Sequence, residues 1–213
     1  MAVTSTVDTK ERLLDAAEAL FARQGCHATS VRAITRAAKA NLAAVGYHFG
    51  SKEGLIEAVI DRRLTPLNRA REAQLDAAVD AAAAAHHPPE VTEVLRALIE
   101  PTLRFRAHEP ASPDFIALIG RVIHEPEAHV RDYFFARMRP LFDRLLPALC
   151  DALPDLSREV VTWRLHFCIG AFAHTLFLAA TPVPLAGGEV DVEPDRLLDL
   201  LLPFLSAGME ARP

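Results

Sequence analysis

Apolar residues recur every three or four positions along nearly the whole of this 213-residue chain, and that period constrains its fold more than any other feature. Such spacing lines up apolar side chains on one face of a helix, whereas a half-buried strand needs strict alternation. Leu13, Leu14, Ala17, Leu20 and Phe21 form the first stripe. Asp8 or Thr9 is placed to cap that helix, Glu11 falls in its first turn, and Gly25 ends it. Thr29 or Ser30 opens a short second helix through Ala38, and a third runs from about Leu42 to His48 before Phe49-Gly50-Ser51 breaks it. Ser51 caps a long fourth helix, with Glu53 beside its positive end. Pro66 lies inside that pattern and is expected to kink it, because proline removes a backbone donor and clashes with the preceding turn. The stretch DAAVDAAAAAHHPPE (76–90) ends the fourth helix in alanines that favour helix but pack little, so a loosely held loop is expected there. Further helices are expected over 90–108, 112–124, 126–150, 156–180 and 194–209, with Pro110, Pro113, Pro126, Pro154, Pro182 and Pro184 near their boundaries. Alternating β-branched runs are missing between the turn signals, which makes the chain all-α with about nine helices.

At 51% hydrophobic the chain is too apolar for disorder. A chain of this length buries roughly 70% of its unfolded surface, so it needs no disulfide or metal staple. Cys26, Cys150 and Cys168 are odd in number and lack CxxC spacing, which fits small buried hydrophobes in a reducing compartment. No window offers the ~18 apolar residues of a membrane span. The N-terminus lacks a basic region followed by an apolar core, so a soluble, cytoplasmic protein without a membrane partner is expected.

A net charge of −5 argues against nucleic acid only if it is spread evenly, and it is not. Residues 1–55 carry seven Lys/Arg against five Asp/Glu, net +2, while 56–213 carry sixteen against twenty-three, net −7. Within 26–55 the count is four against one. A DNA-binding surface is a local property, so the first quarter stays open to nucleic acid. There the second helix, a three-residue turn (Lys39-Ala40-Asn41) and the third helix have the helix-turn-helix arrangement, in which the later helix enters a major groove. Small residues on the reading helix, Ala43, Ala44 and Gly46, allow close approach to base edges, and the two alanines can touch thymine methyl groups. Thr29 or Ser30 at a helix start, Asn41 in the turn, Tyr47 and His48 at the end of the reading helix, and Lys52 at the next helix start are placed for phosphate. Arg32 and Arg36 share a face of the second helix. Each has a plainer role as an alternative: Tyr47 packing between helices, His48 capping, Lys52 and one of the arginines simply solvated. With so few polar readers, DNA shape and phosphate placement are expected to carry much of the specificity.

The run TSVRAITRAAKANLAAVGYHFGSKEGLIEAVI (29–60), preceded by LLDAAEALFARQG (13–25), closely resembles the N-terminal DNA-binding domain of TetR-family transcriptional repressors. The Tyr-His-Phe-x-Ser-Lys-Glu-x-Leu run at 47–55 carries most of that resemblance, and the wider variant resembles a subgroup with fatty-acid-responsive and efflux-controlling repressors. The resemblance implies a DNA-binding domain at 1–55 and a helical ligand-binding and dimerisation domain at 56–213. Two positions depart from the family pattern. Lys39 stands where the turn usually has Gly, at roughly 1 kcal/mol if the backbone is left-handed. Gly46 stands where Asn, Ser or Tyr is common and weakens the reading helix by ~1 kcal/mol relative to Ala.

The remainder has the material for an apolar pocket with a few polar anchors. Leu103, Arg104, His108, Phe115, Ile119, Phe134, Met138, Trp163 and Phe167 are its candidate lining, with Arg104 as the anchor. HEPEAH (124–129) resembles a zinc-protease motif, but its histidines are five apart and Pro126 keeps them off one helical face, so no metal is expected. By the family resemblance, the last two long helices pair with those of a second copy. His166, Gly170, Ala173, His174 and Phe177 on one, and Leu198, Leu201, Leu202 and Leu205 on the other, are the candidate seam. No cofactor is expected, and GxSxG, Walker A and GxGxxG are all absent, which leaves little for an enzyme on a hydrophobic substrate. The resulting expectation is a dimeric repressor on a palindromic operator, released by a small hydrophobic effector. An activator or a ligand-independent regulator is the alternative.

Overall fold

The computed structural model describes residues 6–109, 112–122, 128–180 and 193–212, and these are helical throughout apart from turns. Nine helices follow in order among the described residues: α1 (Thr6–Gln24), α2 (Val31–Ala37), α3 (Ala43–Phe49), α4 (Lys52–Ala84), α5 (Val91–His108), α6 (Ser112–Val122), α7 (Ala128–Ala152), α8 (Arg158–Ala180) and α9 (Pro194–Glu210). The all-α reading holds. The expected kink site does not end α4, which continues through Pro66 as one element. α5, α7 and α9 likewise hold internal prolines, at Pro101, at Pro140 and Pro147, and at Pro203. The alanine run carries α4 to Ala84, and His86 (φ 56°) then turns the chain in a left-handed conformation. Residues 124–127 of the HEPEAH segment, and Pro110, Pro182 and Pro184, lie outside the described residues.

The chain divides into two compact units, Met1–Thr65 with Pro113–Arg137, and Pro66–Ser112 with Met138–Pro213. In the first, α1, α2 and α3 pack on one another. Leu13, Ala17, Phe21, Ile34, Ala38 and Val45 are buried there, as are Leu55, Ile56, Val59 and Ile60 on α4. A core this small gains from polar ties. Arg12 Nε donates to the Ala38 carbonyl at 3.1 Å, and Arg121 Nε on α6 donates to the Ala22 carbonyl at 2.8 Å. On α7, the Tyr133 hydroxyl and Arg137 Nη2 both donate to Asp61 Oδ2, each at 2.8 Å.

The strongest tie joins α1 to α4. Glu18 is 2% exposed, and its carboxylate accepts from Arg62 Nη2 and from Arg63 Nε, the latter at 3.2 Å. Arg62 Nη1 also reaches Asp15 at 2.7 Å and Glu11 at 3.3 Å. Burial works to lower the Arg62 pKa, yet the bonds from Glu18 and Asp15 leave it raised above the ordinary arginine value. In the second unit, α9 packs on α5 and α8. Thr92 and Ser206 share a hydrogen bond at 2.9 Å, and Arg164 Nη1 donates to the Met209 carbonyl at 2.6 Å.

Removing a buried partner strands its counter-charges, whereas an exposed ion pair contributes little. Glu18→Gln is therefore expected to lower stability by about 2 kcal/mol, and Asp15→Asn by less than about 1. Urea unfolding of the two variants measures the difference.

Candidate functional site

The helix-turn-helix is built by local caps. Ser30 is the N-cap of α2, with extended backbone (φ −89°, ψ 149°), and its hydroxyl accepts from the Ala33 N–H at 3.2 Å. Thr29, offered as the alternative, is buried and donates to the Gly25 carbonyl at 2.8 Å. That hydroxyl holds the α1–α2 turn and is not presented to a phosphate, so Ser30 replaces Thr29 as the contact candidate. The end of α2 is a Schellman turn: the Ala40 N–H bonds the Thr35 carbonyl at 2.9 Å and the Lys39 N–H bonds the Arg36 carbonyl at 3.2 Å. Lys39 occupies its left-handed position at φ 50°, where glycine is favoured, so the condition attached to that departure is met.

Asn41 caps α3, its Oδ1 accepting from the Ala43 N–H at 2.9 Å. The outer face of α3 carries Ala43, Gly46 and Tyr47, with Tyr47 78% exposed and meeting His48 edge-on at 4.9 Å. Ala44, His48 and Phe49 are half-buried. Arg32 and Arg36 are exposed on α2. Lys52 Nζ donates to the His27 carbonyl at 3.2 Å, which holds the start of α4 beside the α1–α2 turn. Ser51 caps α4 by accepting from the Gly54 N–H at 3.1 Å. The Glu53 carboxyl is held below its ordinary range by its backbone hydrogen bond and by Ser51. Between Glu18 and Glu53 the chain has no acidic residue, so α2, the turn and α3 themselves carry no carboxylate.

Gly54 is a position the helical pattern did not single out. A Cβ there would lie 2.2 Å from the Phe49 carbonyl oxygen, so the end of α3 can meet the start of α4 only over a glycine. Its one sequence signal is a poor helix former in a first helical turn.

In the second unit the candidate effector residues divide. Leu103 and Met138 are buried, while Arg104 and His108 are exposed. Arg104 pairs with Glu100 at 2.7 Å and with Asp195 at 3.7 Å, and its pKa is raised chiefly by the Glu100 hydrogen bond. A guanidinium at the surface and already neutralised is no pocket anchor, which corrects that expectation. His108 Nδ1 lies 2.8 Å from the Arg104 carbonyl. Trp163 and Phe167 are also corrected: they stack on each other at 6.2 Å on the outside of α8, with Phe167 67% exposed. Phe115, Ile119 and Phe134 belong to the first unit, Phe115 and Phe134 buried and Ile119 half-buried.

The buried polar group that sequence reasoning missed is Arg71, 6% exposed, bonded to Asn68 and Thr102. Its signal was present. Leu67, Arg71 and Leu75 repeat at four-residue spacing, which puts an arginine in the middle of an apolar stripe. Between α4 and α5 runs an open groove of about 430 Å³, walled by Gln74, Ala78, Ala82 and Ala97 and rimmed by Glu90, Glu93 and Glu100. No candidate pocket residue lines it.

On α8 the exposed residues Trp163, His166, Phe167, Gly170, Ala173 and His174 recur at three and four, forming one uncovered stripe. The Phe177 side chain lies outside the described residues. On α9 the outward apolar residues are Leu200 and Phe204, with Phe204 68% exposed. Leu198, Leu202 and Leu205 are buried within the protomer and Leu201 is half-buried, so the seam candidates on α9 move by one helical face. The leucine run is wide enough to cover two faces, and spacing alone did not say which one this chain covers itself. Among the described residues, no group of three or more His, Cys, Asp or Glu side chains is placed to hold a metal. No described helix is long and apolar enough to cross a membrane.

A capped α2, a tight turn and an α3 with an exposed face, none of them carrying a carboxylate, define a helix-turn-helix DNA-binding regulator. Residues 13–59 match the model described as bacterial regulatory proteins, tetR family, and residues 96–208 match the tetracyclin repressor-like C-terminal domain. The chain belongs to the TetR family of transcriptional regulators. It is 39% identical over 82 residues to the nicotine-responsive transcriptional repressor HdnoR of Paenarthrobacter nicotinovorans, across 38% of this chain and 42% of that protein. An HTH-type transcriptional repressor of Mycobacterium tuberculosis is 41% identical over 66 residues, 31% of this chain and 35% of the relative. The chain thus aligns with less than half the length of either relative. The fatty acid degradation regulator FadR from Bacillus halodurans shares the fold with a TM-score of 0.69 at 13% identity, over 96% of this chain and 97% of that one. The ketosteroid regulator KstR2 of Mycobacterium tuberculosis shares it with a TM-score of 0.65 at 19% identity, over 99% and 98% of the two chains.

Glycine can be tested in both directions here. Gly54→Ala is expected to destabilise by about 1–3 kcal/mol, because the added carbon meets a backbone carbonyl. Gly46→Ala meets nothing within 4 Å and is expected to stabilise by up to about 1 kcal/mol. Lys39→Gly relieves the left-handed strain and is expected to stabilise by about 0.5–1 kcal/mol. Thermal unfolding of the three variants beside the parent gives the signs.

Proposed function

We propose that this chain is a dimeric, ligand-responsive transcriptional repressor that acts by binding and not by catalysis, with residues 1–55 reading DNA and 56–213 sensing and pairing. The exposed face of α3 carries the reading. It presents Ala43, Gly46 and Tyr47 to a groove, with Arg32, Arg36 and Lys52 beside it for phosphate. Ser30, Asn41, Ala44 and His48 complete the contact set, Asn41 by fixing the start of the reading helix.

One seven-residue reading helix makes few contacts, and a two-fold pair on a palindromic operator doubles them. The apolar stripe of Trp163, Phe167, Leu200 and Phe204 supports such pairing, since exposed aromatic residues in a row favour an interface over solvent. A small, largely apolar effector in 56–213 then biases α4, whose residues on either side of Pro66 belong to different units. It needs only a differential affinity of a few kcal/mol between the two states.

Selection of binding sites from a random duplex pool by the full chain is expected to return a palindrome. Lys52→Ala should weaken binding to all duplexes alike and reduce the salt slope by about 1, and Tyr47→Phe should weaken it as well. Binding that ignores both substitutions contradicts the interface. Phe204→Asp is expected to give a monomer in sedimentation and to lose operator binding. A reporter driven by the selected site should rise on deletion of this gene, and a fall would make the protein an activator.

A further inference from the structure

Arg71 is a charged group in an interior that offers it no counter-charge. Its Nη1 donates to Asn68 Oδ1 at 2.7 Å and lies 3.6 Å from Met138 Sδ, and its Nη2 donates to Thr102 Oγ1 at 2.8 Å. All of these partners are neutral, and no carboxylate pairs with Arg71 among the described residues. Its Nε, fully buried, has no hydrogen-bond partner there. Three residues along the same helix, Gln74 Oε1 is also buried without a partner. An unused donor and an unused acceptor therefore stand one turn apart on α4. Burial lowers the Arg71 pKa to about 10, so the group still carries its charge at neutral pH.

A buried charge is strongly disfavoured unless paired, and neutral hydrogen bonds offset only part of that penalty. The half-buried Arg62 and Arg63 differ in having a counter-charge, both on the buried Glu18 carboxylate, although Arg62 Nε, like Arg71 Nε, has no partner among the described residues. Thr102 in turn donates to the Leu98 carbonyl at 3.3 Å, which fixes its lone pair toward Arg71. The arginine is thus held in place by α4, α5 and α7 with part of its donor fork unused.

We infer that Arg71, with Gln74 beside it, is the receptor for the carboxylate of a monoanionic and otherwise apolar effector, an inference that rests on the ligand-responsive reading above. The guanidinium fork matches a carboxylate in shape and charge. No second cation is among its partners, which fits one negative charge and not a diphosphate. Met138 supplies apolar contact at the head, and Gln74 accepts from a hydroxyl or amide N–H on the same molecule. Gln74 also walls the open groove between α4 and α5, whose rim carries Glu90, Glu93 and Glu100, so an anionic head belongs at Arg71 and not at that acidic rim.

The test uses the whole 213-residue chain with hexanoate, decanoate and 3-phenylpropanoate as anionic probes, and decanol and methyl decanoate as neutral counterparts. Calorimetric affinity, thermal shift and release from the selected operator are read for the parent and for R71M, which keeps the length and apolar bulk. At least one carboxylate is expected to bind the parent, raise its Tm and release DNA, with its neutral counterpart weaker. R71M is expected to lower carboxylate affinity on the order of tenfold or more and to erase the preference over the neutral probe. The Tm of unliganded R71M should equal or exceed that of the parent, whereas a purely structural arginine would lower it. R71K keeps the charge without the fork and should lose affinity severalfold, which carries the comparison if R71M does not fold. Equal carboxylate affinity in the parent and in the variants overturns the inference. If decanol releases DNA and no carboxylate binds, the inference falls and the ligand-responsive reading stands. If no probe of either kind acts, both fail.

Discussion

The DNA-reading unit depends on a buried carboxylate. Glu18 on α1 is removed from solvent and held by two arginines of α4, so the short helices are tied to a long one by charge as well as by apolar packing. Three helices within 45 residues bury little surface, and the core of Leu13, Phe21, Ile34 and Val45 is correspondingly small. A desolvated pair of this kind contributes less to net stability than to geometry, because either member alone is penalised and the two must stay together. Arg62 extends the tie along α1 through Asp15 and Glu11, which fixes the rotation of α1 as well as its distance from α4.

The same helix carries a second guanidinium under a different rule. Arg62 lies among carboxylates, whereas nine residues later Arg71 lies among an amide, a hydroxyl and a thioether. Both leave a buried Nε without a partner among the described residues, but only Arg62 has carboxylates on its other nitrogens. Between them stands Pro66, which has no N–H to give to the helix.

The two exposed faces of the molecule are made by contrasting chemistry. The α2–α3 segment is short and basic and carries no carboxylate of its own, which suits a polyanion approached at close range. The α8–α9 surface is aromatic and aliphatic and lies on helices whose opposite faces are packed within the protomer. The overall charge of −5 averages these regions and describes neither of them.

Much was legible in the sequence because helical order is local. The three-four period placed the nine helices found among the described residues, the Ser51 cap follows from neighbours within one turn, and the 47–55 run carried the family, whose usual glycine pointed to Lys39. Tertiary structure decided whatever depends on which face meets which neighbour. Spacing could not say that Leu198, Leu202 and Leu205 turn inward while Phe204 turns outward, since both sets lie on one broad apolar helix. Nor could it say that Trp163 and Phe167 stack outside, or that Arg104 is neutralised at the surface by Glu100 and Asp195, the second of them 91 residues away in the chain. Gly54 became necessary only when the end of α3 came against it, and Arg71 became a buried charge only when α5 and α7 closed over it. Local hydrogen bonding and periodicity are written in neighbouring residues, whereas burial is a relation between distant ones, and the binding chemistry of this chain depends on burial.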